Sequence, residues 1–246
     1  MQSKWILALK DRVHPSWHSF LQPLVVQLLV DIEEATRCAG VPLTPAAEHV
    51  LRFLSTDLSS TKVLVMGQDP YPQEGVATGR AFEVAGLTSW HETFRNTSLK
   101  NIVRTLYAAK FHKFKRYKQI AEDGFSWLLP PDALFAHWED QGVLLLNTSF
   151  TCEVGASNSH EKLWREFSMR LFRYIADQNN QIVWFLWGNH AQQMVRSLPI
   201  QYRYETMHPM LCAQKENRPT DFLFGRVNVF AETAHLVDWY GVGFLH

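Results

Sequence analysis

Three stretches of this sequence are apolar at every position: Val63-Leu-Val-Met66, Val143-Leu-Leu-Leu146 and Ile182-Val-Trp-Phe-Leu-Trp187. A strand with one face in water alternates apolar and polar residues, so strands of this kind need cover on both faces. The spacing predicts strands over Lys62–Met66, Gly142–Asn147, Ile182–Trp187 and Tyr202–Met207. Helices are predicted over Ser16–Arg37, Pro45–Leu54, Leu99–Lys110, Asp132–Asp140, Lys162–Asn179 and His190–Leu198. Strands alternating with helices predict an α/β chain, with a central four-stranded, mostly parallel sheet flanked by helices. At 246 residues, with no visible linker or repeat, residues 1–246 are expected to form a single domain.

In such sheets, ligands bind outside the carboxyl ends of the strands. The first strand ends in Gln68 and Asp69, the second in Asn147, the third in Gly188-Asn189-His190 and the fourth in His208. Each has a bland reading alone. Asp69 before a proline starts turns, Asn147 caps segments, and a lone histidine is usually structural. Their convergence on one rim is what marks a candidate site. Asp69 precedes Pro70 and Tyr71 precedes Pro72, and a residue before proline is driven out of the helical region. Such a ledge fixes side chains as a catalytic constellation requires. Gly75 and Gly79 allow the tight path by which Ala81-Phe82 returns to the site.

The 24 basic and 24 acidic residues cancel, so binding to a polyanion would depend on a local basic face. Lys110-Phe-His-Lys-Phe-Lys-Arg-Tyr-Lys118 is one candidate, since basic residues between aromatics hold phosphates and stack on bases. The alternative is a solvated helix end with its aromatics packed beneath. Cys38, Cys152 and Cys212 are far apart and odd in number, which suits a reducing compartment and argues against a zinc or iron–sulfur site. No segment approaches the roughly 18 apolar residues of a membrane span, and the N-terminus has no signal-peptide pattern. An intracellular protein is expected.

The run Gly67-Gln-Asp-Pro-Tyr71 after an apolar strand resembles the water-activating motif of the family-1 uracil-DNA glycosylases. The similarity continues in order through Gly79-Arg-Ala-Phe82, Gln141–Thr148, Phe185–Gln192, His208-Pro209 and Val237-Asp-Trp239. The resemblance implies hydrolysis of the N-glycosidic bond of uracil flipped out of single- or double-stranded DNA. It implies a monomer, with no metal and no organic cofactor. By this likeness Asp69 stabilises the sugar cation and orients water, while His208 and the Gln68 backbone serve uracil O2. Asn147 reads O4 and N3–H, Phe82 stacks on the base, and Tyr71 excludes a thymine methyl. Ser98 and Leu211 would contact DNA; His190, otherwise read as structural, is a further DNA-binding candidate because it would face the backbone from the N-terminus of its helix.

The sequence also departs from that pattern. The family's GQDPYH reads GQDPYP, so Pro72 replaces a histidine that helps hold water. Gln73 stands for a glycine, and Glu83 follows Phe82, where it is expected to put a negative charge near the DNA face. The serine-rich loop that pinches phosphates reads His208-Pro-Met-Leu-Cys-Ala213, with Leu211 left as the wedge, shifted by one position. Asn96-Thr97-Ser98 keeps the serine of a phosphate contact without its prolines. Three readings therefore stand: a uracil-DNA glycosylase, slow or with shifted preference; a non-catalytic DNA- or protein-binding homologue; and an α/β enzyme of another class.

Overall fold

The structure, a computed structural model, describes residues 3–242. In chain order its strands are β1 (Leu43–Thr44), β2 (Val63–Gly67), β3 (Val143–Asn147), β4 (Cys152–Glu153), β5 (Val183–Trp187) and β6 (Tyr202–Thr206). Its helices are α1 (Lys4–Leu9), α2 (Pro23–Ala39), α3 (Ala47–Val50), α4 (Thr97–Phe111), α5 (Tyr117–Asp123), α6 (Pro131–Asp140), α7 (Glu161–Gln178), α8 (Asn189–Met194) and α9 (Val229–Glu232). Four strands form a parallel sheet in the order β3-β2-β5-β6, with helices on both faces. The α/β class and the four-stranded sheet are as expected.

The unbroken apolar runs receive their double cover. Leu64, Met66, Leu144, Leu146, Trp184 and Leu186 face a core shared with Leu29 of α2 and with Trp164, Phe167 and Leu171 of α7. The alternate residues Val63, Val65, Val143, Leu145, Phe185 and Trp187 face a second core with α4, α6 and α9. Fully burying one such side chain stabilises by ~1.5–3 kcal/mol. A one-residue slip of β2 would exchange its two faces and lose the fit of both cores. β6 is the exception: Tyr202, Arg203 and Glu205 are exposed on this edge strand, and the charges discourage further pairing.

Several boundaries differ from the prediction. The helix expected from Ser16 begins at Pro23, because proline lacks an N–H and fits the first helical turn rather than the interior. Its end is Gly40, left-handed at φ 66°. The helix expected over Pro45–Leu54 stops at Val50 and tightens into a 3-10 turn at Arg52–Ser55. That turn sends Leu51, Phe53 and Leu54 into the core together, which one face of an α-helix does not allow. The helix from His190 ends at Met194 instead of Leu198. The β1–β4 pair, antiparallel and two residues long, escaped the sequence reading. It matters to the site.

Candidate active site

The parallel register sets Gly67 beside Asn147, the last residues of β2 and β3. A Cβ on residue 67 would lie 2.2 Å from Asn147 Oδ1, so the glycine leaves the room that the amide occupies. Asn147 is buried, yet its side chain lines a cavity of about 230 Å³ at the carboxyl end of the sheet.

Beyond Gly67, the ledge is anchored through its carbonyls. Gln68 O accepts from the Ser149 N–H at 2.9 Å and from Thr148 Oγ1 at 2.7 Å. Pro70 O accepts from Cys152 Sγ, Tyr71 O from Thr44 Oγ1, and Pro72 O from the Gly155 N–H. The short β1–β4 pair supplies two of these donors, Thr44 and Cys152. The double proline restricts the ledge locally; the unpredicted mini-sheet holds it from outside.

Asp69 Oδ2 accepts the Asn158 backbone N–H at 2.8 Å, and Gln68 Nε2 donates to the Asn158 side-chain oxygen at 2.7 Å. Asn158 is left-handed at φ 62°, a conformation asparagine tolerates better than most residues. It bridges both polar residues of the ledge, and the sequence reading missed it. Its signal was its type: an asparagine within Ser157-Asn158-Ser159, between β4 and α7. Burial raises the Asp69 pKa, the Asn158 N–H and nearby His190 oppose that rise, and Glu161 adds to it.

His190 follows the first residue of α8, and its Nε2 lies 2.7 Å from Thr148 Oγ1. Because the Thr148 hydroxyl donates to Gln68 O, its oxygen is left to accept from His190. His190 therefore supports the ledge from behind, with Nδ1 3.9 Å from Glu161.

His208 caps the 3-10 turn Pro209–Leu211, where its Nδ1 accepts the Met210 N–H at 3.2 Å. In the neutral ring this leaves the proton on Nε2. Burial lowers the His208 pKa, which favours that neutral form. The Phe82 ring lies 6.2 Å from His208 and 5.2 Å from Trp187, and Phe82 takes φ 68°, a strained conformation for an aromatic residue. Tyr71 donates its hydroxyl to Phe82 O at 3.3 Å, and burial pushes its phenol pKa upward against a weaker pull from Asn96.

One cavity is thus lined by Gln68, Asp69, Tyr71, Phe82, Ser98, Asn147 and His208, and also by Pro72 and Asn158. Leu211 and His190 line an adjoining cleft that shares Gln68 and His208 with it. Leu211 and Met210 are exposed side by side at 54% and 60%. The structure corrects the reading of Glu83. It is buried, 3.0 Å from Arg80 Nη1, while Arg80 Nη2 meets Glu139. Its charge is neutralised inside the protein, where a buried carboxylate needs such a partner.

Residues 55–230 match the family model described as the uracil DNA glycosylase superfamily. The chain belongs to this family. Similar curated relatives include a uracil-DNA glycosylase of Pseudoalteromonas translucida, 33% identical over 72% of this chain and 75% of its own length. One from Vibrio cholerae is 31% identical over 79% and 80%. Among solved structures, the wild-type UNG of Nitratifractor salsuginis superposes with a TM-score of 0.67, at 25% identity, over 84% of this chain and 88% of that one. A mimivirus uracil-DNA glycosylase gives 0.62 at 22% identity, over 84% and 71%. Pro72 also faces this cavity, and its ring has no hydrogen-bonding atom.

Proposed function

We propose that this protein is a DNA-repair glycosylase, which hydrolyses the N-glycosidic bond of uracil flipped out of DNA and leaves an abasic site. The observation that carries the reading is the meeting of a carboxylate, a carboxamide, an aromatic face and a neutral imidazole around one base-sized space.

Each group has a part in that chemistry. As the bond between the sugar and N1 of uracil breaks, its electron pair leaves with the base and the sugar becomes an oxocarbenium-like cation. Asp69, as an anion, stabilises that cation and orients the water that attacks it. His208 is set up to donate from Nε2, so it serves the charge growing on uracil O2. A neutral imidazole donates here without having to lose a proton. Asn147 offers a donor and an acceptor, which match uracil O4 and N3–H and oppose the reversed pattern of cytosine. Phe82 stacks on the base, and Tyr71, hydrogen-bonded to the Phe82 carbonyl, fills the space a thymine methyl would need. Asn158 and the His190–Thr148 pair keep the ledge in place. Met210 and Leu211, exposed beside the cavity, meet the DNA strand, with Leu211 as the wedge, and Ser98 in the cavity lining meets a phosphate.

The test is a single-stranded oligonucleotide carrying one uracil. Wild-type protein is expected to release free uracil and leave an alkali-labile site, and Asn147→Ala to release none. Binding of the oligonucleotide by the wild type without release would replace the enzyme by a binding module.

A further inference from the structure

The segment Lys110–Lys118 divides in two. Phe111 packs on Tyr107 and Trp127, with ring centroids 4.6 and 5.6 Å away. Tyr117 packs on Phe94 and Phe125. These are the packed aromatics of a helix end. Phe114 is different: it is 59% exposed, and its ring lies 5.2 Å from that of Phe224. The Arg104 guanidinium stands over Phe224, 5.7 Å from its centroid.

Arg104 spends its hydrogen bonds on neutral groups. Nε donates to Lys115 O at 2.9 Å and Nη1 to Asn101 Oδ1 at 2.7 Å. The neighbouring carboxylates are engaged elsewhere, Asp123 by Lys115 and Asp221 by Arg218. Arg116 adds its own positive charge to that of Arg104, and Asp221, although engaged by Arg218, opposes it from the other side of the balance. A half-buried guanidinium beside a second cation, and held by neutral acceptors, suits an anion.

This patch is joined to the base cavity through a buried contact. Asn101, which accepts from Arg104, donates through Nδ2 to Pro209 O at 2.6 Å. Pro209 follows His208, and the exposed Met210 and Leu211 follow in turn. One line of contacts therefore runs from His208 through Asn101 and Arg104 to Phe224 and Phe114.

We infer that this surface is a second nucleic-acid subsite, which holds a nucleotide of the substrate strand beyond the immediate neighbours of the flipped uracil. The base stacks on Phe114, and its phosphate lies between Arg104 and Arg116. The inference rests on the proposed excision of uracil from DNA. Charge complementarity selects a polyanion, and an exposed ring backed by a second ring selects an unstacked base. A subsite here also gives this charge-balanced chain a grip on the strand that its serine-poor loop does not provide.

The test compares wild type, Phe114→Ala, Phe114→Tyr and Arg116→Gln on a uracil-free single-stranded 15-mer, by fluorescence anisotropy over a range of salt. Phe114→Ala should weaken binding about tenfold, the loss of one stacked base, and Phe114→Tyr should restore it. Arg116→Gln should flatten the salt dependence by about 0.7 in log–log slope, the loss of one phosphate contact. Uracil release from a trinucleotide too short to reach Phe114 should be equal in all four proteins. Unchanged 15-mer affinity in Phe114→Ala and Arg116→Gln would overturn the inference and give the patch to a partner that is not nucleic acid. Equal losses on the trinucleotide would overturn it as well, by showing damage to the base cavity. Weakened 15-mer binding in a protein that releases no uracil would leave the subsite standing and remove the excision reading.

Discussion

The Asn158 backbone N–H donates to Asp69 Oδ2 at 2.8 Å, tying the ledge after β2 to the turn before α7. That bond favours the ionised carboxylate, while burial, the larger influence, favours the protonated one. Asp69 therefore takes up its proton at a higher pH than an ordinary aspartate, near 3.9. With the anion as the proposed working form, uracil release should decline on the acid side at a higher pH than an ordinary aspartate would set. Glu161 contributes to the rise, so Glu161→Gln should move the acid limb downward. A pH profile of kcat/KM for both proteins checks this; a limb that moves upward in Glu161→Gln would contradict it.

The contact between residue 67 and the Asn147 amide leads to a second expectation. Gly67→Ala should displace Asn147 Oδ1, with which a new Cβ would collide at 2.2 Å. Selectivity for uracil should fall along with rate, because the amide is moved rather than removed. Asn147→Asp should admit cytosine weakly, since it presents acceptors to the exocyclic amine. Mismatched buried polar groups shift selectivity by factors up to ~10⁴. Excision from oligonucleotides carrying uracil or cytosine measures both variants, and unchanged selectivity in either would break the assignment of Asn147 as base reader.

Pro72 lines the cavity, and its carbonyl is fixed by the Gly155 N–H at 2.8 Å. Pro72→His keeps that carbonyl and adds an imidazole where the family pattern has one. Turnover on uracil DNA should rise, by up to ~10²-fold for one well-placed polar group. No gain in a folded variant would mean that water is already held by other groups of the ledge.

How much of this was legible beforehand follows from where each constraint lives. The apolar runs declared a sheet covered on both faces, and the polar residues at strand ends declared its rim. Asp69, Asn147 and His208 could be named because they stand at or just beyond strand ends, which place them on that rim, whereas Phe82, in a loop, was named through the family resemblance. Asn158 was harder to name, since beyond its residue type its contacts with Asp69 and Gln68 depend on a left-handed turn that sequence pattern does not display. Thr44 and Cys152 were hidden for a related reason. A two-residue strand pair has no periodicity to read. Glu83 was misplaced because Arg80, its partner three residues away, is held inside by Glu139, which lies 59 residues further along the chain and meets Arg80 only in the folded protein.

The mouth of the cavity leads to a ranking of substrates. Flipping a base out of a duplex costs a few kcal/mol, and less from a mismatch or a single strand. Met210, Cys212 and Ala213 bring no hydroxyl to meet that cost, whereas Leu211, the proposed wedge, stands 54% exposed. Initial rates should fall from single-stranded uracil to G·U and then to A·U. Leu211→Ala should slow the two duplexes more than the single strand. Equal rates on A·U and single-stranded DNA would show that the duplex is opened by other means.

The most direct test of the account is single-turnover release of uracil from one single-stranded oligonucleotide by wild type and Asp69→Asn, with thermal melting of both. Burial raises the folded-state pKa of Asp69, so its charge weighs against the fold above that pKa, and removing it should leave the melting temperature equal or higher. The account predicts a stable Asp69→Asn whose rate falls by ~10²–10³, the loss expected when a preorganised charge is removed from a reaction centre. Wild-type and Asp69→Asn proteins that are equally stable and release uracil at equal rates would contradict it.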